Sequence, residues 1–287
     1  MKPITANRKL VNFSALAGAS LMMVGGLSNA SAQGTITLKG SDTMLQLAQV
    51  WAEAYHKAKG KIVTVTGGGS STGIAALVNG STDIANASRS MKGSEIDKAK
   101  ERGFVPFEIP VARDGLSIVV NPKNPVKSLS IDQLNKIYSG QVSNWKQLGG
   151  GDQAIITVGR DSSSGTYGFF QDTVLKGGPY RSDMQTTPSN NAIAQVVSQD
   201  AGAIGYIGVA YAKAFAGKVK EIPVSKGSGP AEEPTEANVR SGKYPLWRYL
   251  FMYTRGKPAG ATGEFINWVK SKEGQDIVEK VGYYSIK

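Results

Sequence analysis

The sequence predicts an α/β fold in two lobes, each a mixed sheet flanked by helices. Three observations predict it. Short β-rich runs alternate with amphipathic helical stretches along most of the chain, the pattern of a parallel or mixed sheet covered by helices. Turns rich in Gly, Ser and Thr recur where strands hand over to helices. A turn-forming segment, Asn121-Pro-Lys-Asn-Pro125, separates an earlier α/β block from a later one.

In chain order, a strand is expected over 35–39 and a helix over 44–59. In that helix Met44, Leu47, Ala48, Trp51, Tyr55 and Ala58 recur at the helical period and form one apolar stripe. A strand over 61–66, a helix over 72–79, a strand over 84–87 and a helix over 94–102 follow, then extended runs over 105–112 and 116–120. Past the Pro-containing turn, 131–138 reads as helix, 155–159 as extended, 167–174 and 192–198 as helices, and 203–207 as a strand. A polar loop rich in Gly, Pro and Glu occupies 225–236. The strongly apolar run 246–254 reads as a strand, and 262–281 supplies one or two closing helices. Crossovers near 112–115 and 208–224 divide the chain into lobe 1 (33–113 plus 225–287) and lobe 2 (114–224). A single domain is the competing division.

The first 32 residues are excluded from that fold. Lys2, Arg8 and Lys9 form a basic leader, an apolar run of small residues covers 11–27, and Ala30-Ser-Ala32 has the small residues a signal peptidase reads. Residues 1–32 are therefore expected to be a cleaved signal peptide, with Gln33 as the new N-terminus. Asn12, Ser14 and Ser20 interrupt the run, which is too short for a permanent span. No cysteine follows it to carry a lipid, so a free, soluble, monomeric product is expected.

The absence of cysteine throughout removes disulfides, thiolate metal sites and cysteine nucleophiles together. The 255 residues after position 32 are enough to bury an ordinary core without such staples. Removing the leader subtracts three from the net charge of +11 and leaves +8. That balance favours anionic partners. Lys and Arg are scattered rather than striped, so no nucleic-acid partner is expected.

Three turns share one design, in which a strand leads through Gly and small hydroxyl residues into a helix. They are Gly40-Ser-Asp-Thr-Met44, Gly67-Gly-Gly-Ser-Ser-Thr-Gly73 and Arg160-Asp-Ser-Ser-Ser-Gly-Thr166. The first N–H groups of a helix lack intrahelical partners and converge with partial positive charge. Glycine admits an anion close to the backbone, and hydroxyls add donors that rotate to fit. One such turn is ordinary helix capping; three of them, on both blocks, point to an anion site. None has the Gly-Lys-Ser/Thr of a nucleotide-binding loop. Arg160 opens the third turn and Arg89 follows a strand, each offering a planar fork for two oxygens of an oxyanion. Carboxylates at Asp42, Asp83, Asp114 and Asp161 repel a bare anion, but one of them suits a ligand that still carries a proton. Phosphate has that proton near neutral pH and sulfate does not. Asp83 also reads as an ordinary cap before Ile84.

With these residues in hand, the chain resembles the periplasmic phosphate-binding proteins of ABC transporters. The resemblance runs through Lys39-Gly-Ser-Asp-Thr-Met44, Gly69-Ser-Ser-Thr-Gly73, Ala87-Ser-Arg89, Ala112-Arg-Asp-Gly115, Asn121-Pro122, Tyr138-Ser-Gly140 with Asn144-Trp145, and Arg160 through Thr166. It implies a two-lobed fold of the type II-like class with the ligand in the interlobe cleft. It also implies a periplasmic location, inorganic phosphate as ligand, and the permease of an inner-membrane ABC importer as partner. Implied contacts are Ser41, Asp42, Thr43, Ser70, Ser71, Arg160, Ser164, Gly165 and Thr166. Some members have Ala-Ser-Asp where this chain has Ala87-Ser-Arg89, and there the aspartate takes the phosphate proton. Here that role falls first to Asp114 and second to Asp42. Arg89 is left as a second cationic contact or as a bridge to one of those carboxylates.

No cofactor, metal or catalytic residue is expected. His56 is the only histidine, no Gly-x-Ser-x-Gly elbow accompanies it, and no metal-ligating cluster is evident. Binding of another oxyanion (sulfate, molybdate or tungstate) is the alternative, followed by a phosphate-ester hydrolase and by an adhesion role on the same scaffold.

Overall fold

The computed structural model describes residues 34–287, so the expected signal peptide over 1–32 lies outside the described residues. The first block contains β1 (Ile36–Gly40), α1 (Leu45–Lys59), β2 (Val63–Thr66), α2 (Ser70–Val78), β3 (Ile84–Ala87) and α3 (Gly93–Glu101). The expected stripe of α1 is buried through Leu47, Ala48, Trp51 and Tyr55, and the helix stops at Gly60 in the left-handed region at φ 69°. All four residues of β3 are buried, as befits a central strand covered on both faces.

The two extended runs expected over 105–112 and 116–120 are one strand, β4 (Pro106–Val120). Residues 113–115 do not break it, because Arg113, Asp114 and Gly115 pair with Tyr249, Arg248 and Trp247 of the neighbouring strand β12 (Trp247–Arg255). Then come β5 (Leu129–Ser130), α4 (Ile131–Tyr138), β6 (Ile156–Arg160), α5 (Gly165–Thr173), β7 (Gln185–Thr187), α6 (Asn190–Gln199), β8 (Ala203–Gly208), α7 (Val209–Ala214) and β9 (Lys220–Ile222). The expected loop over 225–236 is partly ordered as β10 (Val224–Ser225), β11 (Ala231–Glu232) and the start of α8 (Glu236–Arg240), with α9 (Gly260–Val269) and α10 (Lys272–Val281) closing the chain.

Among the described residues nine strands form one mixed sheet, ordered β2-β1-β3-β12-β4-β8-β6-β7 with β9 also on β4. β4 joins its two halves. Residues 106–115 pair antiparallel with β12, and residues 116–120 pair antiparallel with β8. Parallel β2-β1-β3 lies in one half and parallel β8-β6-β7 in the other. The fold is the expected two-lobed α/β class. A separate three-stranded sheet ties β10 to β11 and, in parallel, to β5. Tyr55, Phe265 and Trp268 pack together under the first half, and Tyr138, Phe170, Tyr180 and Tyr206 under the second. The second cluster lies beneath Arg160.

Candidate functional site

The carboxyl ends of β1, β3 and β6 and the amino ends of α2 and α5 converge, the usual place for a ligand in an α/β sheet. From the first half, Ser41, Thr43, Ser70 and Ser88 are buried there, and from the second, Arg160, Ser164 and Thr166. Thr43 Oγ1 lies 2.8 Å from Thr166 Oγ1. Ser88 Oγ lies 3.4 Å from both Thr166 Oγ1 and Ser70 Oγ, and Ser88 N donates to Ser70 Oγ at 3.1 Å. The expected hydroxyl turns thus form one cluster.

Its tightness depends on two glycines. Gly69, at φ 97°, precedes α2, where a Cβ would lie 2.6 Å from Ser163 Oγ. Gly165 opens α5, where a Cβ would strike Ser70 Oγ and lie 2.7 Å from Ser88 Oγ. Ser71 N donates across to Ser163 O at 3.0 Å. Ser164 caps α5, its hydroxyl accepting from Thr166 N and Tyr167 N at 3.2 and 3.4 Å. Burial alone raises the Asp161 carboxyl, but the Ser163 hydroxyl and N–H outweigh it and hold Asp161 below the usual carboxylate range, so Asp161 braces the loop.

Two carboxylate–guanidinium pairs flank the cluster. Arg160, 2% exposed, donates through Nη1 to Asp42 Oδ2 at 3.2 Å, while its buried Nε meets no acceptor among the described residues. Asp42 Oδ2 also accepts from Asn190 N and Nδ2 at 3.1 and 3.0 Å. Asp114, fully buried, accepts from Val209 N through Oδ1 at 3.0 Å, and from Arg248 Nε and Nη2 through Oδ2 at 2.9 and 2.8 Å. Arg248 further donates to Ser88 O at 3.0 Å and to Thr166 Oγ1 at 2.9 Å.

Tyrosines brace the turns from behind. Tyr211 and Tyr283 donate to the carbonyls of Asp42 and Thr43 at 3.0 and 2.7 Å, and Tyr206 Oη accepts from Arg160 N at 3.3 Å. Burial raises all three hydroxyls, Tyr206 to about 12, so they stay neutral at physiological pH.

Ten of the eleven expected contacts (Ser41, Asp42, Thr43, Ser70, Ser71, Asp114, Arg160, Ser164, Gly165 and Thr166) lie in or against this cluster. Arg89 stands apart. Its expected bridge to Asp114 or Asp42 is not the one it makes. Nη1 and Nη2 grip Glu95 at 2.8 and 2.7 Å, and Nη2 reaches Ser71 Oγ at 3.0 Å. Glu95 is six residues away at the start of α3, closer along the chain than either aspartate, while Arg248 already satisfies Asp114. Burial raises the Glu95 carboxyl, but Arg89 and the N–H of Lys92 outweigh it and hold it low.

Arg248, Ser88 and Asn190 were not anticipated. Arg248 carried a signal: a cation near the start of a strongly apolar run needs a buried partner. Ser88 lies in the Ala87-Ser-Arg89 motif, but its contact with Thr166, like that of Asn190 with Asp42, is made only by the assembled fold.

Comparison with known proteins agrees with this geometry. The family model for the PBP superfamily domain matches residues 27–273. The phosphate-binding protein PstS of Pseudomonas aeruginosa is 35% identical over 269 residues, 87% of this chain and 82% of that protein. PstS of Bacillus subtilis is 33% identical over 257 residues, covering 89% and 82%. A phosphate ABC transporter substrate-binding protein with bound phosphate from Clostridium perfringens superposes with a TM-score of 0.79 at 31% identity, covering 88% of this chain and all of that one. An ABC-type phosphate transport receptor from Vibrio cholerae gives 0.72 at 32% identity, covering 87% and 99%. The chain belongs to the PBP superfamily and, within it, to the family of PstS phosphate-binding proteins.

Proposed function

We propose that this protein captures inorganic phosphate in the periplasm and delivers it to the permease of an inner-membrane ABC importer, acting by binding and release rather than by catalysis. One observation carries the reading. Arg160 is buried, its Nε meets no acceptor among the described residues, and the turn it opens leads into the hydroxyl cluster through Ser164 and Thr166 at the amino end of α5. A buried cationic donor with no acceptor is costly unless a ligand supplies oxygens. A tetrahedral anion supplies them on several sides at once. The relatives named above are phosphate-binding proteins, which supports phosphate as that anion.

The proton acceptor is read as Asp42 in preference to Asp114. Each carboxylate oxygen accepts about two hydrogen bonds. Asp114 has Oδ2 filled by Arg248 and Oδ1 half filled by Val209 N–H, whereas Oδ1 of Asp42 takes no hydrogen bond among the described residues. Asp114 is then the residue that holds Arg248. Arg89 orders the α2 turn through Ser71 and Glu95.

The lobe division is proposed as 33–113 plus 225–287 against 114–224, with two adjustments. Asp114 and Gly115 pair with β12 and go with the first lobe. β10 and β11 pair with β5, so the ribbon to residue 232 moves with the second lobe. Bonds between Thr43 and Thr166 and between Ser71 and Ser163 are those of the closed state, and hinge opening breaks them. Residues 1–32 act as the export signal, and the mature protein works as a monomer.

Calorimetric titration of the purified mature protein tests the reading. Saturable binding of one phosphate, with no turnover of a chromogenic phosphate ester, is expected. Ester turnover, or titration by molybdate with no response to phosphate, contradicts it.

A further inference from the structure

We infer that Arg248 is a positioning residue for anion recognition, fixing the Thr166 hydroxyl as a donor toward the ligand. The inference rests on the phosphate-binding reading above and names a residue beyond the expected contacts.

A threonine hydroxyl has one proton to donate and two lone pairs. Arg248 Nη2 donates to Thr166 Oγ1 at 2.9 Å and fills one of those lone pairs with a hydrogen that has no other role. Ser70 is treated in the same way, because Ser88 N donates to Ser70 Oγ at 3.1 Å. Each hydroxyl is thereby left with its O–H to give. Thr43 Oγ1, 2.8 Å from Thr166 Oγ1, competes for that proton until an anion oxygen, the stronger acceptor, takes it.

Arg248 is held for this task from three directions. Asp114 takes Nε and Nη2, Ser88 O takes Nη1, and Phe169 lies 5.1 Å from the guanidinium carbon. Arg248 and Asp114 also face one another across the β12–β4 ladder, so backbone pairing sets their registry. A guanidinium reaches Asp114, Ser88 O and Thr166 together; a single ammonium does not. Arg248 and Ser88 belong to the first half of the sheet and Thr166 to α5 of the second, so the Arg248–Thr166 bond forms only when the halves meet. Hydroxyl orientation and closure are then set together, before the ligand's own bonds are complete.

The test is a double-mutant cycle read by calorimetric phosphate titration of wild type, Arg248→Lys, Thr166→Val and the double variant. Thr166→Val removes the hydroxyl at constant shape, and a loss of about tenfold or more is expected. Arg248→Lys keeps the charge beside Asp114 and loses the reach to Thr166, so a comparable loss is expected. The double variant should bind about as weakly as either single one, at least fivefold tighter than the product of the two losses. Losses that multiply overturn the inference, since Arg248 then acts without Thr166. Retention of full affinity by Arg248→Lys overturns it as well. Should Arg248→Lys fail to fold, Arg248→Gln combined with Asp114→Asn keeps the pair neutral and is cycled against Thr166→Val under the same criterion. Wild type that fails to bind phosphate overturns the functional reading first, and this inference with it.

Discussion

Replacing Arg160 by Met removes the guanidinium that opens the third turn while keeping most of the side chain's apolar length. The Nε edge of Arg160 meets no acceptor among the described residues, so it is the part available to a ligand. Two charge-assisted bonds from that edge, at about 1.5–2 kcal/mol each, give a loss of about 3–4 kcal/mol. At about 1.4 kcal/mol per tenfold, phosphate affinity should fall between a hundredfold and a thousandfold. The fold should survive, because Asn190 still donates twice to Asp42. Losing one of the partners of the partly exposed Asp42 costs about 1–2 kcal/mol, which keeps the melting temperature within about 8 °C of wild type. Calorimetric titration beside a thermal melt separates the two effects. A variant that melts like wild type and binds phosphate within tenfold of it refutes the assignment of Arg160 as the main cation.

Gly165→Ala places a Cβ against Ser70 Oγ and Ser88 Oγ. A cost of about 1–3 kcal/mol in stability and at least a tenfold loss of affinity are expected by thermal melt and calorimetry, and unchanged affinity contradicts closure of α5 onto Ser70. Glu95→Gln should cost about 1–2 kcal/mol at neutral pH by weakening the grip on Arg89. The Glu95 carboxyl is held low in the fold, so its stabilisation is present above the ordinary glutamate pKa of about 4.3 and is lost as pH falls through the lowered one. Denaturant midpoints of wild type and variant should converge below about pH 4, and a constant gap down to pH 3 contradicts the pairing.

Local pattern carried the helices and the three anion turns into view. The stripe from Met44 to Ala58 and the Ser-Gly-Thr run at 164–166 are properties of consecutive residues, and α1 and α5 formed where they indicated. Long-range pairing was out of reach. Asp114 and Arg248 are 134 residues apart, and only the β12–β4 register puts them opposite. Without that partner, Arg113-Asp-Gly115 looked like a break, and β4 was split in two. The strands β5, β7, β9, β10 and β11 are two or three residues long, too short for an alternation to register. The partner of Arg89 is not legible either, because its fork is shared between Glu95 and Ser71, and only the assembled α2 and α3 bring those two together.

Whether a carboxylate makes the proposed phosphate site selective is decided by competition between phosphate and sulfate for wild type, Asp42→Asn and Asp114→Asn. In the proposed site, an ionised Asp42 would accept the proton of hydrogen phosphate and meet only lone pairs on sulfate, a difference of several kcal/mol. Wild type should bind phosphate in the presence of a thousandfold excess of sulfate, on the order of 4 kcal/mol of discrimination. Asp42→Asn should lose phosphate affinity and admit sulfate, and Asp114→Asn should still reject it. Sulfate that displaces phosphate from wild type at equal concentration contradicts the claim, and sulfate admitted only by Asp114→Asn moves the acceptor to Asp114.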